Sequence, residues 1–306
     1  MAEIKKNILA ALAYFDVFNY PLTREEICLF LPVKYDVDLF DLAVVCLVSN
    51  RQIYRFDKFY TLKNDPYLIQ RRNEGNQKAF EMIKTARRVG DILIKFPYVR
   101  GIAISGSLSK NYADDESDID LFIITAPERL WIARTLMHGL KKLTFLINRE
   151  HYFCMNYYID EQQLEIAEKN IYTATEVVTL IPIQGDTTFA DFFNANAWTR
   201  DYLPNHIMRV SAAKPIKKTA LKSFVEWLLN NRFGDKLDNF LLKITAGRWE
   251  QKTKQNKRTN HGILMAMAAG KHYSKPDPKN FQFKMVSRYE TRVAQLLVEN
   301  HHSIAN

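Results

Sequence analysis

The chain has 306 residues, 47% of them apolar and 25% charged, the balance of a globular protein with enough apolar residues for about two domains. No window approaches about 18 uncharged apolar residues, and the opening "MAEIKKNILAALAYFDVF" has only a short apolar run broken by Asp16, with no small-residue cleavage site. These features exclude a spanning helix and lead us to expect a cytoplasmic protein with no membrane partner.

The net charge of +9 divides into about +4 over residues 1–100, −7 over 101–205 and +12 over 206–306. A basic final third attracts phosphates and acidic surfaces without selecting among them. Cys28, Cys46 and Cys154 have neither the spacing of a zinc site nor that of a redox pair, and are expected to be buried free thiols.

In chain order, Ile4, Ile8, Leu9 and Leu12 recur at helical spacing, and "YPLTREEICLFL" offers Thr23 as an N-cap with Glu26 three residues on. "VDLFDLAVVCLVSNRQ" predicts a third helix, and "QIYRFDKFYTLK" two short strands around Asp57 and Lys58. Three helices closed by a hairpin make a winged-helix-like pattern over residues 1–64. Asp65 and Pro66 suit the start of a long helix whose apolar stripe runs through Leu68, Phe80, Ile83 and Leu93, a connector over 65–97.

"YVRGIAISG", "DIDLFIIT" and "HYFCMNYYI" then read as strands, with "ERLWIARTLMHGLKKLTFLI" as an intervening helix. Strands alternating with helices predict an α/β sheet, here over 98–186, in a protein that is α+β as a whole. From Glu161 onward the pattern reads as helical, giving a helical C-terminal region over 187–306, with "KTKQNKRTN" as a basic linker.

The chemistry concentrates in "ISGSLSKNYADDESDIDLFIIT". Side chains two apart share a strand face, so Asp118 and Asp120 project together while Ile119 and Leu121 point to the core. Their backbones are about 7 Å apart, and two such carboxylates repel unless a cation sits between them. Magnesium prefers hard oxygen donors and fills its remaining positions with water and phosphate. Upstream, Gly106 permits close backbone approach, and Ser107 opens a short helix whose free N–H groups suit phosphate oxygens.

"GSLSKNYADDESDIDLFII" resembles the signature of the DNA polymerase beta nucleotidyltransferase superfamily, over Val99 to about Ile159. The resemblance implies that Gly106 and Ser107 contact the phosphates of a nucleoside triphosphate. It also implies that Asp118 and Asp120 hold two Mg2+ ions for attack of an acceptor hydroxyl on the α-phosphorus, with release of pyrophosphate. The acceptor could be a small molecule, a protein side chain or an RNA end. Lys110 could reach a β- or γ-phosphate, or could be a solvated helix lysine. Asp114, Asp115 and Glu116 read as loop surface, and Ser117 as a cap on the strand entry.

The family pattern adds a third carboxylate on the next strand. If Cys154, Asn156, Tyr158 and Asp160 share one face, the third position falls on Asn156, with Asp160 at the strand end as the outlying candidate. Asparagine offers a carbonyl oxygen to a metal but cannot act as a base. A nucleotide sensor or a DNA- or partner-binding regulator on the same fold is therefore the alternative to an active transferase.

The third helix offers no cation before Arg51 and is poorly suited to reading bases, so docking or dimerisation is the favoured role of the N-terminal unit. In the basic region, Trp227, Phe233 and Phe240 suit a helical core better than base stacking, while Lys214, Lys217, Lys218, Lys252, Lys254, Lys257 and Arg258 are expected to be exposed and could clamp nucleic acid or help hold the triphosphate. None of His138, His151, His301 and His302 has zinc-site spacing.

Overall fold

A computed structural model describes residues 1–144, 152–208, 213–216, 219–254, 266–277 and 280–304. His151, Lys217, Lys218, Lys257 and Arg258 fall outside them, as does most of the expected basic linker. The protein is a mixed α+β structure with two sheets. Among the described residues, no helix is long and apolar enough to cross a membrane.

The N-terminal unit begins with α1 (Ala2–Asp16), followed by β1 (Leu22–Thr23) and α2 (Arg24–Leu29). The expected capping box at α2 is present: the Thr23 side chain accepts from the Glu26 N–H, and the Glu26 side chain accepts from the Thr23 N–H. Helix α3 (Val37–Ser49) is capped by Asp36, and the hairpin of β2 (Tyr54–Phe56) and β3 (Phe59–Thr61) turns at Asp57, whose φ is +55°. β1 adds a third, antiparallel strand beside β3. The unit closes around Ile8, Leu12, Phe15, Leu22, Ile27 and Phe40.

Helix α4 (Tyr67–Leu93) is the expected long element, and the Asp65 carboxylate accepts the Tyr67 N–H at its start. Its buried stripe is narrower than expected. Gly75, Ala79, Ala86 and Leu93 face inward, whereas Phe80 is exposed beside Lys84. Small residues on the inner face let the helix lie close to the sheet.

That sheet is built from β4 (Val99–Ile104), β5 (Asp120–Thr125), β6 (Cys154–Asp160), β7 (Ile181–Gln184), β8 (Ala266–Ala269) and β9 (Tyr273–Asp277). Their order is β7-β4-β5-β6-β9-β8, with β5 and β6 parallel and every other pair antiparallel. The four-residue helix α5 (Gly106–Ser109) follows β4, and α6 (Leu130–Thr144) links β5 to β6. Helices α4 and α6 cover one face through Val89, Leu93, Trp131 and Met137, packed on Ile102, Leu121, Ile123 and Tyr158. The other face is covered by α7 (Ile171–Val178) and α8 (Asp186–Ala195), where Val177, Phe189 and Phe192 meet Ala103, Phe122 and Ile159.

The C-terminal segment departs from the helical expectation. Helices α9 (Ala220–Leu229) and α10 (Arg232–Lys254) are present, but β8 and β9 extend the sheet beyond β6. Helix α11 (Phe281–Ile304) returns to the N-terminal unit, where Met285 and Leu296 join its core. Strand β7 likewise interrupts the stretch read as helical from Glu161, because Ile183 is needed in the sheet core.

Asp238 on α10 caps the start of α6 by accepting the Ile132 N–H at 2.8 Å. Burial raises its pKa from the ordinary 3.8 to about 6, against the lowering by the Ile132 and Trp131 N–H groups and Arg129. Between these two values the folded protein holds a proton that the unfolded chain has released, so this group's contribution to stability falls as pH rises through the window. Asp238→Asn keeps an acceptor oxygen but no charge. We expect it to flatten that part of the stability profile, read from urea midpoints at intervals between pH 4 and 7.

Candidate active site

Strand β4 ends at Ile104, and Ser105 donates its N–H to the Asp120 carbonyl at 2.9 Å, which brings the end of β4 beside the start of β5. Gly106 follows with φ +66°, a left-handed conformation that glycine adopts without strain. A Cβ there would lie 2.3 Å from Asp120 Oδ2, so the carboxylate rests against a bare backbone. Ser107 is exposed, and the short helix it opens is closed by Ser109 Oγ and Lys110 Nζ donating to the Gly106 carbonyl.

The strand begins at Asp120 rather than Asp118, but alternation already holds upstream: Asp118 is exposed, Ile119 fully buried and Asp120 half-buried. Burial pushes the Asp120 pKa up to about 6, and the Asp118 charge adds to the rise; Glu176 contributes in the same direction. Asn156 donates Nδ2–H to Asp120 Oδ1 at 2.5 Å, and its own Oδ1 accepts the Cys154 thiol at 3.1 Å. All three cysteines are free and only partly buried, not fully buried as expected.

The shared face expected for β6 does not hold, because the strand is bulged. Leu121 pairs with Met155 and Phe122 with Tyr157, leaving Asn156 as the extra residue. The bulge reverses the parity of everything after it. The Tyr157 ring stacks on Phe122 at 5.2 Å, while Tyr158 and Asp160 turn to the opposite face. Asn156 thus meets Asp120 from a bulge and not from a regular pleat.

Asp160 is corrected as a site candidate. It is fully buried and lies opposite Thr125 at the far end of β5 from Asp120. Its carboxylate accepts the N–H groups of Glu128, Gln162 and Gln163 and pairs with His272 Nδ1 at 2.9 Å. It therefore caps a turn.

Lys110 is also not a free arm. Its ammonium pairs with Glu176 at 2.8 Å in a half-buried position. Glu176 is the residue that sequence reading missed. It is the only charged residue in the α7 sequence "IYTATEVV", a signal that its helix faces something polar. Asp114, Asp115 and Glu116 are exposed as expected, with Lys78 bridging Asp115 and Ser117 bonded to Asp114.

The donor set suits magnesium. Asp118 and Asp120 offer hard oxygens, and the burial and mutual repulsion that disfavour ionised Asp120 are what a bound cation relieves. Among the described residues, no group of three His, Cys, Asp or Glu converges on a metal position. A separate groove of about 430 Å³, lined by Asp16, Lys63, Arg288 and Arg292, lies between α1 and α11 and shares no residue with the carboxylates.

Compared with family models, with curated proteins and with solved structures, the chain shows no match to any of them.

Two variants separate site from scaffold. Gly106→Ala is expected to destabilise the protein by about 1–3 kcal/mol in urea unfolding, through backbone strain and the clash with Asp120. Asp160→Ala removes the buried carboxylate that accepts three turn N–H groups and pairs with His272, and is expected to cost about 1–3 kcal/mol.

Proposed function

We propose that the protein is a magnesium-dependent nucleotidyltransferase that moves a nucleoside monophosphate from a nucleoside triphosphate to an acceptor hydroxyl. The observation that carries this reading is the seating of the Asp120 carboxylate on the Gly106 turn, with Asp118 exposed one pleat upstream. Gly106 and Ser107 offer backbone N–H groups for phosphate oxygens beside the two carboxylates. Magnesium bound there would neutralise phosphate charge and stabilise the attacking and leaving oxygens. In the reaction, the acceptor oxygen bonds to the α-phosphorus, the bond to the bridging oxygen of pyrophosphate breaks, and the hydroxyl proton is released to water.

The chain's own residues set the conditions for this. Asp118 and Asp120 hold the charge, Asn156 fixes the orientation of Asp120 by its amide, and Glu176 restrains Lys110 near the turn. On this reading the sheet domain is polymerase-beta-like. The N-terminal unit is a winged-helix-like docking module, since the exposed face of α3 carries Val37, Leu42 and Val45 and no cation. Three free cysteines suit the reducing cytoplasm.

Asn156 favours a second reading. On the resemblance it stands where the family has its third carboxylate, and its amide donates to Asp120, so the same site could bind nucleotide without turning it over. One experiment divides the two. The full chain is incubated with each ribonucleoside triphosphate, Mg2+ and a panel of polyols, peptides and RNA ends. Pyrophosphate release that is lost in Asp118→Ala and in Asp120→Ala supports transfer. Nucleotide affinity that needs both aspartates, without pyrophosphate, supports the sensor. No pyrophosphate and unchanged affinity in the double variant would sink both.

A further inference from the structure

Helix α9 is docked inside out. Its inward side chains are Lys222, almost fully buried with Nζ donating to the Ile94 and Val99 carbonyls, and Glu226, which accepts the Tyr98 N–H and both terminal nitrogens of Arg100. Its outward side chains are Leu221, Phe224, Trp227 and Leu228, and Phe233 and Phe240 continue the stripe on α10. Each of these six is between 51% and 74% exposed. Apart from Leu229, which packs on the sheet core at its end, the helix is held to its own protein by a lysine and a glutamate, with leucine, phenylalanine and tryptophan left in water, against the usual amphipathic arrangement.

The surroundings of the stripe are cationic. Arg232, Lys236 and Lys243 are exposed and form no ion pair among the described residues. On α10, Phe233, Lys236, Phe240 and Lys243 share one helical face, so apolar rings and ammonium groups alternate along it. The nearby carboxylates are already used: Asp235 is paired with Arg129 at 2.7 Å, and Asp238 is buried. We propose that the α9–α10 face is a peripheral binding surface for an anionic lipid bilayer, with the apolar side chains entering the headgroup boundary and the cations meeting lipid phosphates.

Charge and side-chain chemistry select this occupant. A second copy of the chain would bring a second set of the same unpaired cations to the contact, with the nearby carboxylates already used. Single-stranded nucleic acid would satisfy the cations and rings, but Leu221 and Leu228 have no π-face for a base. An apolar phase beneath anionic headgroups satisfies all of them. Contact of this kind needs no spanning helix. It also leaves the carboxylate site open, because α9 is anchored at the start of β4 and Asp120 lies at its other end, about 20 Å away along six residues of strand.

The test uses the full chain with vesicles of phosphatidylcholine alone and vesicles containing about one-third phosphatidylglycerol. Co-sedimentation with the anionic vesicles and a blue shift of tryptophan emission are expected, with weak binding to neutral ones. The triple variant Leu221→Ser, Phe224→Ser, Trp227→Ser should lose at least tenfold in partitioning while keeping the parent circular dichroism. Lys236→Glu with Lys243→Glu leaves the apolar side chains in place and should lose about fivefold or more per cation removed on anionic vesicles; it decides the matter if the triple variant fails to fold. Absence of sedimentation with anionic vesicles, or undiminished binding by the charge variant, overturns the proposal. So does binding of a single-stranded oligouridylate that depends on Trp227 in a protein that ignores vesicles, an outcome that assigns the face to nucleic acid. Both the proposal and its test are independent of the nucleotidyl-transfer reading.

Discussion

The contact between the Asp120 carboxylate and the bare backbone of Gly106 sets the geometry of the whole sheet edge. A carboxylate can approach a turn this closely only where no Cβ intervenes, and only a glycine holds φ +66° there without strain. The contact is locked by the Ser105 N–H on the Asp120 carbonyl, which fixes where β4 stops relative to where β5 starts. It also carries an electrostatic cost. Asp120 is held between burial, Asp118 and Glu176, all of which disfavour its charge, with the Cys154 thiol and the Asn156 amide the neutral groups that stabilise it.

The N-terminal unit braces this edge. Arg72 on α4 is almost fully buried, donates to the Pro21 carbonyl and to Glu26 at 2.7 Å, and lies 3.6 Å from the centre of the Tyr20 ring. The Tyr20 hydroxyl in turn donates to the Lys110 carbonyl at the end of the Gly106 turn. A buried guanidinium without partners would be expensive, so this full set of partners holds α4 and the first unit in one relative placement. The unit thereby reaches the Gly106 turn through Tyr20, while Val37, Leu42 and Val45 on α3 stay exposed. The return of α11 to the same core ties the two ends of the chain to that placement.

Much of this was legible beforehand. The capping box at Thr23, the hairpin at Asp57, the long helix after Asp65 and the alternation of Asp118, Ile119 and Asp120 all follow from short-range rules of spacing and turn chemistry. The errors came where a longer-range contact overrides local pattern. In β6, one extra residue at Asn156 reverses the face of each side chain after it, and a period-2 count cannot see a bulge. Asp160 looked like a site carboxylate for that reason alone. Glu176 was overlooked because it lies more than fifty residues beyond Asp120 in sequence, and only packing brings the two charges together. Trp227, Phe233 and Phe240 have core-like spacing, yet the polar anchors Lys222 and Glu226 take the inner side of α9.

By itself, the sequence determined the element types over most of the chain, the Gly-Ser turn and the pair of aspartates, since these depend on backbone preference and on residues a few positions apart. The tertiary structure decided which carboxylates meet, that Lys110 is paired with Glu176, that β8 and β9 extend the sheet, and which face of α9 meets water. Those outcomes depend on contacts between residues tens to hundreds of positions apart, where burial and charge pairing outweigh any local periodicity.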